Sequence, residues 1–379
     1  MVKTLVLCLS LATTLAPMMP GVSAGRPSLR AGAGTGQGSP VAGAERGFEH
    51  FYNLEHDAAI AEFEKLVADQ PDNPFFHNYL ALALLYREFY RRGVLEGDLF
   101  GESNRIFGTA TFTPDPRSVG RLKQAYNRAI EISEARLKKN PPDQDTLYTL
   151  GSAYSTKASY LFVVERSWFG ALRAGTLSRN PHQQLIEKNP QYYDAYLIPG
   201  VHDYVVGSLP AFIKVVAFLG GFHGNREEGI RNLELVAQRG AVNKIDAQLL
   251  LSVAYRRERR FADARRILSE LISRYPRNHI LPLEVAGLYA KEGNYEAAIR
   301  QYEEVLEKVR AEEMGFDRVP VARLNYRLGE LYQRRQNFAR ARASFQAVEG
   351  SAGASPQLAA DAQREIRKLP HSPIPSLVQ

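Results

Sequence analysis

From residue 47 to 369 the apolar positions recur three and four apart and never settle into a sustained alternation with polar ones. That spacing predicts helices throughout and no strand. A fixed period of 34 residues organises them. The clearest unit, 245–278, places Leu251 and Tyr255 on a first helix and Phe261, Ala264, Leu268 and Leu271 on a second, with Pro276 closing it. The same offset carries Tyr255 to Tyr289, Phe261 to Tyr295, Ala264 to Ala298 and Leu268 to Tyr302. A further copy holds Gly329, Tyr332, Phe338, Ala341 and Phe345, displaced because AEEMGFDRVP is inserted before it. Upstream, Gly151 and Tyr154 follow Asn140-Pro141, Gly200 and Tyr204 follow Asn189-Pro190, and Gly47, Ala59, Phe63 and Pro71 open an array of about six or seven units.

Each repeated residue type has a packing reason. A small residue on the first helix (Gly151, Gly200, Gly329) and another on the second (Ala59, Ala264, Ala298, Ala341) let two antiparallel helices approach closely. Aromatic side chains fill the wedge between neighbouring hairpins, and proline, which cannot continue a helix interior, opens the next turn. One hairpin cannot bury its own apolar face, so stacking into a solenoid is obligatory. Two repeats carry long inserts, at about 88–118 and 159–184, which enlarge their hairpins and add the loop GTATFTPDP. Residues 356–369 are polar on one side and read as a capping helix.

These small, aromatic and proline positions resemble the tetratricopeptide repeat over roughly 47–369. The resemblance implies a right-handed all-α solenoid of helical hairpins with two enlarged, insert-bearing repeats and a C-terminal cap. Within it, residues 200–233 (GVHDYVVGSLPAFIKVVAFLGGFHGNREEGIRNL) look like the tetratricopeptide repeat protein 39 family and its fungal relatives. Those are associated with the mitochondrial outer membrane and with lipid-droplet-dependent clearance of protein inclusions, so the likeness implies shared architecture and a non-enzymatic adaptor role. The Lys and Asn arrangement with which some repeat proteins clamp a C-terminal carboxylate is absent.

The ends of the chain read differently. Lys3, the apolar run from Leu5 to Leu15 and the small residues Val22-Ser23-Ala24 form a secretory signal over 1–24, too short to span a bilayer. The expected location is the bacterial periplasm or cell envelope. Cys8, inside that signal, is the one cysteine, so a processed chain forms no disulfide and no thiolate site. Residues 25–44 form a Gly/Ser/Pro/Ala linker, the solenoid spans 45–370, and 371–379 is a flexible tail. The GAGTGQG run in the linker lacks the preceding strand and following helix that a phosphate loop needs. A formal charge of +7 favours anionic surfaces, yet export and the lack of aromatics alternating with the arginines argue against nucleic acid.

If the array is regular, the first helices present Asp145, Tyr148, Ser152, Asp194, Leu197, Val201, Asp246, Leu249, Arg323, Tyr326 and Glu330 to the concave side. There an extended peptide or a helix can lie across several units, so the expected partner is a protein or peptide. Arg256, Arg257, Arg259 and Arg260 form a second candidate, an anion contact or a solvated turn. The apolar run 205–222 reads either as a buried central helix or as a membrane-surface contact with Lys214 reaching the headgroups. His202 and Asp203 are adjacent, but side chains one residue apart on a helix point roughly 100° apart, so adjacency makes no dyad. No HExxH, GxSxG or cofactor motif appears; no metal, cofactor or catalytic residue is expected.

Overall fold

The computed structural model describes residues 43–91, 93, 95, 115–139, 143–211, 214–215 and 223–370. The expected signal, all but the last two residues of the linker, the tail and most of the first insert lie outside the described residues. The described backbone is helical and contains no strand. In order it forms α1 (Glu45–Tyr52), α2 (His56–Asp69), α3 (Pro74–Arg91), α4 (Pro116–Lys139), α5 (Gln144–Val163) and α6 (Trp168–Lys188). A short 3₁₀ turn (Tyr193–Tyr196) leads into α7 (Leu197–Gly207), α8 (Arg226–Arg239), α9 (Lys244–Arg257) and α10 (Phe261–Arg274). The chain continues with α11 (Ile280–Glu292), α12 (Tyr295–Arg310), α13 (Val321–Arg334), α14 (Phe338–Ala347) and α15 (Pro356–Lys368). Odd-numbered helices up to α13 are the first helices of the repeats and even-numbered ones the second; α15 is the cap. This is the all-α tetratricopeptide-type solenoid that the 34-residue period predicts.

Two compact units divide the described chain. The first holds residues 43–51, 56–91 and 115–251, and the second holds 52–55 and 252–370. In the first, the small positions on first helices are seats for side chains from the second. A methyl group on Gly47 would come within 2.3 Å of the Phe63 ring, and one on Gly151 within 2.2 Å of His182. At the α7–α8 pair both sides are glycine: a methyl group on Gly229 would meet Tyr204 N at 2.3 Å. The residues expected as a second insert continue α5 and form most of α6, helices of 20 and 21 residues against 14 each for α9 and α10. Of the loop GTATFTPDP, only its last two residues are described. There the Asp115 carboxylate accepts the backbone N–H groups of Arg117 and Ser118 and so starts α4.

In the second unit Gly329 seats Phe345, whose ring lies 2.6 Å from where a methyl group would stand. The hairpin turns share one design. Arg260 N donates to Tyr255 O (2.8 Å), Asn294 N to Tyr289 O (2.9 Å) and Asn337 N to Tyr332 O (2.9 Å). The residue before each donor, Arg259, Gly293 and Gln336, has a positive φ of 60°, 87° and 57°. This is the six-to-one closure that ends a helix on a left-handed residue. Asn294 and Asn337 then cap the next helix by accepting the N–H groups of Ala297 and Arg340. Residues 52–55 belong here as well: Arg277 pairs with Glu55 at 2.6 Å and donates its backbone N–H to Asn53, and Asn278 donates to the Tyr52 carbonyl.

The turns yield a paired prediction. Only Gly293 has the residue type its backbone favours, and a methyl group there meets nothing within 4 Å. Gly293→Ala should therefore lower stability by about 1 kcal/mol through conformation alone, and Arg259→Gly should raise it by about 0.5–1 kcal/mol. Opposite shifts of the denaturation midpoint in urea check both.

Candidate binding face on the first helices

In the first unit the side chains expected on the concave side come together from successive repeats. Asp145 and Tyr148, on α5, meet the turn before α7, where the Tyr192 hydroxyl donates to the Asp145 carboxylate at 3.0 Å. The Tyr148 and Tyr192 rings lie 5.5 Å apart, and Phe75 of α3 stacks on Tyr148 at 5.9 Å. Burial raises the phenols of Tyr79, Tyr148 and Tyr192, and carboxylates raise them further: Asp194 acts on all three and Asp145 on Tyr79 and Tyr192. Asp246, on α9, acts in the same sense on Tyr86 of α3. Three helices and the turn before α7 thus converge on one face.

The expected residues divide by exposure. Tyr148, Asp194 and Leu197 are buried and form a floor, whereas Asp145, Ser152, Asp246 and Leu249 keep partial exposure. Asp194 is committed to the fold. Its carboxylate accepts the backbone N–H groups of Ala241, Val242 and Asn243 at 2.9, 3.1 and 2.7 Å, which fixes the connection into α9. Burial raises that carboxyl against the opposing pull of these three donors. Arg323, Tyr326 and Glu330 line α13 in the second unit, all partly exposed. Tyr326 packs edge-on against Phe345, and burial with Glu330, Glu365 and Asp361 nearby pushes its phenol up to about 12.

The arginine run is shaped by its turn. Arg256 pairs with Glu284 at 2.7 Å, the two side chains being 10% and 16% exposed. Arg260 reaches Asp263 at 2.8 Å and lies over the Tyr255 ring at 4.0 Å. Arg259 is the left-handed residue of the helix end and is exposed, and the Nη1 of Arg257 is buried with no partner among the described residues.

His202 and Asp203 do meet, which adjacency alone did not predict: Nδ1 and Oδ1 are 3.3 Å apart because the side chains bend toward each other from neighbouring positions on α7. The imidazole is buried and Asp203 is mostly so. Of the run 205–222, Val205, Val206 and Leu209 are buried, Lys214 and Val215 are exposed, and most of the remainder lies outside the described residues. Among the described residues no group of three His, Cys, Asp or Glu side chains is placed to hold a metal ion, and no helix is long and apolar enough to cross a membrane.

Sequence reasoning missed His182, Tyr79, Tyr86 and Tyr192. His182 stands where other repeats place Phe63 or Phe345 against a first-helix glycine, so the signal was the partner of Gly151. Its Nδ1–H donates to the Ser178 carbonyl at 2.8 Å, while Nε2 is buried without a partner. Tyr79 and Tyr86 are seven apart on α3 and therefore share a face.

Comparison with known proteins agrees with the architecture. The family model Iml2/Tetratricopeptide repeat protein 39 matches residues 200–316, and a tetratricopeptide repeat model matches 286–359. The chain has the tetratricopeptide-type repeat fold, and its segment 200–316 is similar to the Iml2/Tetratricopeptide repeat protein 39 family. No curated protein matches the sequence. Similar solved structures include the C-terminal part of a repeat-containing protein from Cytophaga hutchinsonii, 15% identical over 84% of this chain and 98% of that one, TM-score 0.42. A tetratricopeptide repeat protein from Parabacteroides merdae is 15% identical over 87% and 99%, TM-score 0.33. Yeast Tom70 is 12% identical over 87% and 89%, TM-score 0.27.

His182 gives this unit a pH dependence. Burial lowers its pKa to about 4, only partly offset by the bond to Ser178. A histidine neutral in the fold and ordinary when unfolded contributes stability that is present above about pH 6.5 and is lost as pH falls toward about 4. Its share of that loss is roughly 2–3 kcal/mol. Denaturation midpoints of wild type and His182→Gln at intervals from pH 7.5 to 4.5 check this: the variant should lose much of the slope.

Proposed function

We propose that this chain is a non-enzymatic interaction scaffold of the bacterial cell envelope that holds a polypeptide across the first-helix face of its first unit. Tetratricopeptide-repeat proteins generally serve as non-catalytic protein-binding scaffolds, and the chain has that fold. The observation that carries the reading is the face itself: partly exposed Asp145, Ser152, Asp246 and Leu249 lie on α5 and α9 over the buried floor of Tyr148, Asp194 and Leu197. Rigid helices present such side chains at fixed spacing, which suits a segment that crosses several repeats. The envelope location rests on the signal-like residues 1–24. No reaction is assigned, because the buried His202–Asp203 pair has no nucleophile in hydrogen-bond contact among the described residues.

A second reading, a peripheral membrane contact through 205–222, draws on Val215, 60% exposed beside exposed Lys214. Crosslinking in intact host cells, recovery of the chain and mass spectrometry separate the two. A recurrent protein partner whose recovery falls about tenfold or more in Ser152→Trp, where the indole covers the face, is the expected result. Enrichment of lipids alone, with co-sedimentation on anionic vesicles, would replace the scaffold reading with the membrane one.

A further inference from the structure

The face just described carries a charge pattern at odds with the chain around it. Cations outnumber anions, 48 to 41, and most carboxylates on the described surface have found one: Glu284, Glu292, Glu296, Asp263, Asp57 and Glu64 each pair with an arginine. The first-helix face of the first unit is one of the places where carboxylates have none. Glu45 and Asp145 are in no ion pair among the described residues, although Glu45 is exposed and Asp145 partly so. Asp145 accepts only the Tyr192 hydroxyl, on one oxygen.

Cations cover other tyrosines in both units: Lys157 lies 6.0 Å from the Tyr154 ring, Arg239 5.9 Å from Tyr193, Arg260 4.0 Å from Tyr255 and Arg265 4.5 Å from Tyr289. No lysine or arginine among the described residues lies over Tyr86 or Tyr192, which are partly exposed. The groups acting electrostatically on Tyr79, Tyr86 and Tyr192 are carboxylates and another tyrosine, without a cation among them. Helix dipoles explain why Glu45 and Asp145 are tolerated, since each stands in the first turn of its helix. The dipole does not select the tyrosine-bearing side of those turns, and it supplies no counter-charge to the rings.

We infer that the occupant of this face is a cationic polypeptide segment, whose lysine or arginine side chains lie over Tyr86 and Tyr192 and pair with Asp145 and Glu45. Carboxylates and ring faces together are what a guanidinium or ammonium group in a partly desolvated groove requires. The chain's net positive charge gives such a segment no general attraction, so binding has to come from a local acidic and aromatic face. The inference names the partner's chemistry and rests on the scaffold reading above.

Fluorescence anisotropy on the full chain tests it with three labelled twelve-residue peptides that alternate leucine with arginine, with serine or with glutamate. The arginine peptide should bind, and its affinity should fall at least about tenfold in Asp145→Asn/Glu45→Gln. It should also weaken steadily as salt rises from about 50 to 300 mM, the range over which screening shortens from beyond to below the width of a groove. The amides keep size and hydrogen bonding, so circular dichroism of the variant should match wild type. If the serine or glutamate peptide binds better, or the double variant holds the arginine peptide unchanged, the cationic class is wrong. Ser152→Trp then separates the readings: peptide binding that it abolishes keeps the groove with a different occupant, and binding of every peptide that it leaves unchanged removes the groove as well.

Discussion

The close approach of paired helices, made possible where a glycine on one receives a large side chain from the other, is the constraint on which the rest of the structure depends. Gly47 receives Phe63, Gly151 receives His182 and Gly329 receives Phe345, each so closely that a single methyl group would stand 2.2–2.6 Å from the ring. Interiors packed this tightly respond to an added methylene with shifts that cost about 1–3 kcal/mol. The seat sets the distance between the two helices of a hairpin, and that distance sets how the next hairpin stacks. Side chains on the far side of each first helix are then carried to defined positions.

The first-helix face of the first unit follows from this arrangement. Its floor is structural: Asp194 is spent on three backbone N–H groups, and Tyr148 is enclosed by Phe75, His182 and Tyr192. Its rim, with Asp145, Ser152, Asp246 and Leu249, is partly open. A rigid floor beneath a polar and aromatic rim is the form that recognition takes in repeat scaffolds, where pre-ordered side chains lower the entropy lost on binding.

The fold was legible in the sequence because it repeats. Tyr255, Tyr289 and their neighbours recur at a fixed offset, and such recurrence has few structural solutions. The helix ends were less legible: Arg259 and Gln336 occupy a left-handed position that Gly293 alone advertises, so the arginine run read as a charge cluster before it read as a turn. Asp145 and Asp246 were named from helix periodicity, whereas Tyr86 lies on the helix that runs into the first insert and Tyr192 in a turn, where the helical period does not apply. His182 was missed because the expected residue there is an apolar ring, and imidazole fills that seat with a similar shape.

The central claim, that a polypeptide lies on the first-helix face, is tested most directly by placing a photoreactive benzoylphenylalanine at position 152 on α5 and, separately, at position 131 on the exposed side of α4, then irradiating living host cells. The account predicts a discrete protein adduct from position 152 and none from position 131. Adducts of equal yield from both, or from position 131 alone, would contradict it.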